Sequence, residues 1–274
     1  MSDTWLITNL RAIRGRAYPR VIGSKREPSW LFFDITLPLL TVSAYAYIYK
    51  YMDAPPEFVG FVILGGAMTA FWLNILWAMA SQLYWEKEIG NLQLYLIAPI
   101  SRMSILAGMA VGGLFMTAIR AAATMIIGIL LFGIALSFAQ PGMIILVFMV
   151  TMVSLYGMGM MFASLYLLLG REAYHLSNLL TEPVYLASGL YFPVRALGFW
   201  AAAGASIIPM TLGLDALRQL FYPSSGSEYG FLPVNTELAI LAVLCVVFLW
   251  LSKYSLAYME KLGKTTGRLT LRWQ

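Results

Sequence analysis

Residues 58–84, "FVGFVILGGAMTAFWLNILWAMASQLY", run for 27 positions without one charged side chain. A helix needs about 20 residues to cross a hydrocarbon core of about 30 Å, so this run is long enough to span a bilayer. Residues 142–170 repeat the pattern over 29 uncharged positions. The whole chain of 274 residues is 60% hydrophobic and 11% charged, too little charge to cover the surface of a soluble domain. It therefore reads as an all-α polytopic membrane protein.

Seven apolar windows stand along the chain, at about 30–50, 58–84, 103–134, 142–170, 173–194, 196–214 and 234–253. The basic residues cluster at the two ends, from Arg11 to Arg26 and from Lys253 to Arg272. By the positive-inside rule both termini are expected on the cytoplasmic side, which needs an even number of crossings. The window containing Gly204 and Pro209 is the one to remove: it is broken by Gly and Pro, and irregular backbone at membrane depth needs protein around it. Six transmembrane helices are expected, at about 30–50, 58–84, 103–134, 142–170, 173–190 and 234–253, with a re-entrant helical pair at about 191–220 on the outer side.

The loops agree. "MDAPPEF" after the first span carries Asp53 and Glu57 but no Lys or Arg, and suits the outside, as does uncharged "SFAQPG". Arg171 and the segment from Lys87 to Arg102 suit the cytoplasm, and "YPSSGSEYG" at 222–230 is turn chemistry. At the start, Leu6, Leu10, Ile13 and Ala17 fall at helical spacing with Arg11 and Arg14 off the stripe. That predicts an amphipathic helix in the cytoplasmic interface. No cleavable signal peptide is expected. The organisation is thus an interface helix at 1–29, a transmembrane domain at 30–255 and a basic cytoplasmic tail at 256–274, in the cytoplasmic (plasma) membrane.

Catalytic chemistry is missing. There is one histidine, His175, and one cysteine, Cys245, so neither a metal cluster nor an intrachain disulfide is expected. No G-x-x-x-x-G-K-[ST] loop occurs. The net charge of +5 sits in the tails beside anionic lipid, and no nucleic-acid partner is expected. A conduit, or part of one, fits better than an enzyme.

Away from the lysines that end two of the apolar windows, Asp34, Arg120, Glu182 and Glu237 lie within them. Ionisable groups at membrane depth face a partner or a wet cavity. Arg120 either lines a substrate path, holds an anionic head group, or fixes helix register in an ion pair, for which Glu182 is one candidate. Gly108 and Gly112 form a G-x-x-x-G pair, and Gly157 and Gly159 add small residues to the next span. Both allow close helix approach, within the chain or between two copies. Sixteen methionines suit an adaptable pathway and lipid-facing helices equally.

Between the second and third windows, "WEKEIGNLQLYLIAP" resembles the E-[RK]-E-x-G-T-L-E-x-L-x-x-x-P pattern of ABC-2-type transporter permeases. Glu86, Lys87, Glu88, Gly90, Leu92, Leu94 or its neighbours, and Pro99 carry the match. Asn91 replaces a threonine and Gln93 a glutamate, which puts any salt bridge of that glutamate in doubt. Farther on, Ser188, Gly189, Phe192 and Pro193 resemble the family's S-G-x-x-F-P element. Pro209, Thr211, Asp215, Ala216 and Arg218 stand at the places of its P-x-T-x-x-x-D-A-[LI]-R segment. The likeness covers about residues 5–260.

That resemblance implies a non-catalytic permease subunit of an ABC exporter of drugs, lipids or glycan-type substrates, working as a homodimer with two ATPase subunits. No cofactor is expected on this chain, and ATP and Mg would bind the partner. Residues of about 90–101 would form a coupling helix docked in the ATPase, with apolar contacts from Leu92, Leu94, Tyr95, Leu96 and Pro99 and a charged rim of Glu86, Lys87 and Glu88. Gly90 would permit the turn into it and Pro99 would end it. Outer gating would fall to Gly189, Phe192, Pro193, Pro209, Asp215 and Arg218. An ion-driven secondary transporter and a scaffold subunit of another membrane complex are the alternatives, although no repeat of broken helices supports the first.

Overall fold

The computed structural model describes residues 2–26, 28–169 and 172–266, which are mostly helical with no strand among them. In chain order the helices are α1 (Ser2–Arg26), α2 (Pro28–Tyr51), α3 (Pro56–Leu73), a π-helical segment (Asn74–Ala80), α4 (Gln82–Ile89) and α5 (Asn91–Ile97). Then come α6 (Arg102–Phe132), α7 (Pro141–Leu169), α8 (Glu172–Ala187), a 3₁₀ turn (Val194–Leu197), α9 (Phe199–Ala205), α10 (Pro209–Phe221), α11 (Pro223–Tyr229) and α12 (Val234–Thr266). Arg171, Arg268 and Arg272 of the expected basic segments lie outside the described residues.

Local signals set the ends. Pro56 and Pro209 occupy the first turns of α3 and α10, where a missing N–H costs nothing. Gly90 (φ 92°) turns α4 into α5, and Gly133 (φ 67°) closes α6 with its N–H on Ile129 O.

Among the described residues five segments are long and apolar enough to cross a membrane: Leu31–Tyr51, Pro56–Ile89, Arg102–Phe132, Pro141–Leu167 and Val234–Met259. The pair α9–α10 bends by 113°. With about 1.5 Å of rise per residue, helices of 7 and 13 residues meeting at that angle reach only about 20 Å end to end, short of a crossing. The fifth expected span is α8, whose 16 residues rise about 24 Å. It is shorter and more polar than the other five, and includes Pro183.

Segment 56–89 is the central helix. Trp72, Ile75, Leu76 and Met79 are wholly buried, with Met109 of α6 and Met152 and Leu155 of α7 in the same core cluster. Several methionines therefore fill the helix core, where an unbranched side chain adapts to irregular gaps. The exposed apolar side chains of α2, α6 and α12, such as Leu40, Leu130 and Val246, suit lipid contact.

Three expectations change. α12 continues to Thr266, so the segment after 255 begins as helix, and the turn expected at 222–230 contains the short helix α11. The N-terminal stripe is split: Leu6 and Leu10 are exposed, and Ile13 and Ala17 pack on α6 beside Asn9, Arg16 and Arg20. Positions 9, 13, 16, 17 and 20 share one helix face. Gly108 and Gly112 receive that face; a Cβ on Gly108 would lie 2.7 Å from both Arg16 Cβ and Ile13 O, and one on Gly112 3.0 Å from Ala17 O. The G-x-x-x-G pair thus seats α1 alongside α6 within the chain, so packing against α6 sets the direction of α1.

Candidate functional site

At the α4–α5 corner, Glu86 is 3% exposed. Its carboxylate pairs with Arg16 of α1 and accepts hydrogen bonds from Gln82 Nε2 (2.9 Å), Asn91 Nδ2 (3.0 Å) and Tyr95 Oη (3.3 Å). The Arg16 guanidinium also lies 5.5 Å from the Tyr95 ring centroid. One turn along α1, Arg20 donates to the carbonyls of Ala78, in the π-helical segment, and Met109 (3.3 Å), and to Gln82 Oε1 (3.0 Å). Burial lowers the Arg20 pKa to about 10, which leaves it charged at neutral pH. Asn9 Oδ1 accepts from Ser101 N (2.7 Å) and Ser104 Oγ (2.9 Å). α1 therefore ties together the segments that lead into and out of α5.

This arrangement corrects three expected docking residues. Glu86 belongs to no exposed rim, because four partners enclose it. Leu92 is 6% exposed and packs in the main core, and the Tyr95 hydroxyl turns in to Glu86. Lys87, Glu88 and Gly90 are half-buried, and Leu94 and Pro99 are exposed; the Leu96 side chain lies outside the described residues. Trp85, Ile89 and Ile97, which the motif leaves unmarked, join them on the exposed surface, with Leu94 at 60% and Ile97 at 81%. Glu86→Ala is expected to strand Arg16 and loosen α1, at a cost of about 3 kcal/mol. Faster amide exchange over residues 5–20 in detergent checks it; unchanged protection there would contradict the node.

On the far side of the bundle, Arg218 of α10 is 2% exposed. It donates to Gly189 O (2.8 Å), Leu190 O (2.8 Å), Phe192 O (3.0 Å) and Phe61 O (3.0 Å). The first three carbonyls belong to the irregular stretch after α8, where Gly189 is left-handed (φ 62°). Gly65 of α3 lies against the Leu190 carbonyl, so closely that a Cβ there would collide with it. Asp215 Oδ2, three residues before Arg218, accepts from Phe231 N (2.8 Å) and Gln219 Nε2 (3.0 Å), and Gln219 also reaches Glu237 Oε2 (3.4 Å). Pro193 is buried and Phe192 half-buried beside this clamp. The structure thus brings Gly189, Phe192, Pro193, Asp215 and Arg218 together; Gln219 was missed because it lies outside both motif patterns.

Arg120 Nη1 lies 2.6 Å from Asp34 Oδ2, so its partner is Asp34 of α2; Glu182 is exposed on α8. No group of three or more His, Cys, Asp or Glu able to hold a metal occurs among the described residues.

A helical bundle with five segments able to cross a membrane, and a braced corner between two of them, has the form of a polytopic membrane protein. The model of the ABC-2 type transporter family matches residues 20–222. The chain belongs to that family: it is an integral membrane permease of an ABC transporter, a class of subunit that is generally non-catalytic and that implies an ABC ATPase partner. No curated protein matches the chain.

Proposed function

We propose that this permease exports its substrate by coupling to ATP hydrolysis on a separate ATPase subunit, which docks on the exposed apolar side chains of the α4–α5 corner. The observation that carries the reading is Ile89, Leu94, Ile97 and Pro99 standing outward on a segment whose opposite side is fixed by Glu86, Arg16 and Leu92. Apolar anchors on a rigid support suit a docked interface, because little ordering cost remains at binding. Lys87 and Glu88 would contribute at the rim.

Two permease copies would form a homodimer, with both termini in the cytoplasm and the assembly in the cytoplasmic membrane. α8 would be the sixth crossing and α9–α10 the re-entrant pair, which gives the even count that the basic ends require. The Arg218 clamp would hold the outer gate, and ATP and Mg would bind only the ATPase. Substrates of drug, lipid or glycan type fit the family. Deleting residues 90–101 is expected to abolish permease-dependent ATP hydrolysis in proteoliposomes while the helices still insert. Undiminished hydrolysis in that variant would overturn the docking claim.

A further inference from the structure

Between α2, the π-helical segment and α6 lies a cavity of about 300 Å³, lined by the Asp34–Arg120 pair, Phe33, Leu37, Asn74 and Trp77, among others. At about 30 Å³ of liquid volume per water it has room for about ten water-sized groups, the scale of a phospholipid head group. Three observations converge on an occupant. Asp34 is three residues past Leu31, where the apolar span of α2 begins, while Arg120 stands 18 residues into the segment Arg102–Phe132, so the pair joins the start of one apolar segment to the middle of another. Both charges keep part of their surface open, 25% for Arg120 and 34% for Asp34, and the buried Nε–H of Arg120 has no hydrogen-bond partner. Phe33 and Leu37, on the cavity wall, are more than half exposed, so the cavity opens beside an exposed apolar face of α2 of the kind that suits lipid contact.

We propose that this cavity binds the head group of a zwitterionic phospholipid. Arg120 and Asp34 cancel, so the site has no net charge and does not favour a simple anion. A dipolar head group complements it: the phosphate takes the remaining guanidinium N–H groups in charge-assisted hydrogen bonds, and the ammonium takes the free edge of the Asp34 carboxylate. An ion pair at low dielectric needs such further bonds to offset its desolvation. The apolar walls and Trp77 receive the start of the acyl chains. Binding is independent of the transport reading, since no ATPase is needed for it.

Native mass spectrometry of the intact chain tests this, released from nanodiscs of equal dioleoyl phosphatidylethanolamine and dioleoyl phosphatidylglycerol. One phosphatidylethanolamine is expected to stay on each chain. Arg120→Gln is expected to reduce that retention roughly tenfold or more, and Asp34→Asn, which leaves a net positive site, to turn the preference towards phosphatidylglycerol. Ala70→Leu narrows the cavity without touching either charge and is also expected to lose the lipid, so the proposal does not depend on the ion-pair variants folding. Equal retention of both lipids by the unmodified chain, or unchanged retention in Ala70→Leu and Arg120→Gln, would overturn it. So would displacement of the lipid by soluble glycerophosphoethanolamine at equal concentration, since entry from the bilayer would then add nothing.

Discussion

Arg218→Met is expected to lose about 4 kcal/mol of stability and to lower Tm by on the order of 10 °C in detergent. The reason is geometric. Three of the four carbonyls that Arg218 holds, those of Gly189, Leu190 and Phe192, lie in an irregular stretch buried against α3. Without the guanidinium they lose charged donors and have no water to replace them, and an unsatisfied group at membrane depth is costly. Arg218→Lys is expected to recover only part of the loss, because a single ammonium cannot replace a planar fork spread over four oxygens. Thermal unfolding of the three proteins measures both effects. A Lys variant as stable as the unmodified chain would show that charge alone matters there.

Leu94→Asp combined with Ile97→Asp is expected to weaken ATPase binding by about 100-fold or more and to remove permease-stimulated hydrolysis, while thermal stability is kept. Both side chains are mostly exposed in the isolated chain, so the folded permease loses almost nothing when they become charged. The cost falls on the complex, where a carboxylate would be buried without a partner. Leu92→Asp, two residues earlier, is expected to do the reverse and destabilise the permease itself, because Leu92 packs in the core. Measuring stability and ATPase stimulation on the same samples separates docking from folding. If the Leu94/Ile97 variant still stimulates its ATPase, this face is not the interface.

Much of the architecture was legible because lipid imposes it. An uncharged run of 27 residues leaves few alternatives, and the Gly204–Pro209 interruption announced the bend between α9 and α10. The motif elements located the α4–α5 corner and the Arg218 clamp, but orientation within the corner was not readable. Charge at Glu86 reads as exposure, and Arg16, 70 positions earlier, joins Gln82, Asn91 and Tyr95 in turning it inward. The same holds for Arg120, since no pattern distinguishes Asp34 from Glu182 as its partner. α1 misled for a different reason. An apolar stripe is what periodicity marks, whereas the face that packs on Gly108 and Gly112 mixes Ile13 and Ala17 with Arg16 and Arg20. α8 reads as a span because its polar residues are spaced through an apolar background, and its helix ends at Ala187, three residues short of the expected end.

The central claim is that one face of the α4–α5 corner meets the ATPase and the other meets the permease core. A photo-crosslinking amino acid placed singly at Ile97, Leu94 and Leu92, in cells that express the native transporter, tests it most directly. The account predicts a crosslinked partner at positions 97 and 94, identified by mass spectrometry as a protein with a Walker motif, and no such product at 92. Crosslinks to an ATPase from 92 but not from 97, or none from any of the three, would contradict it.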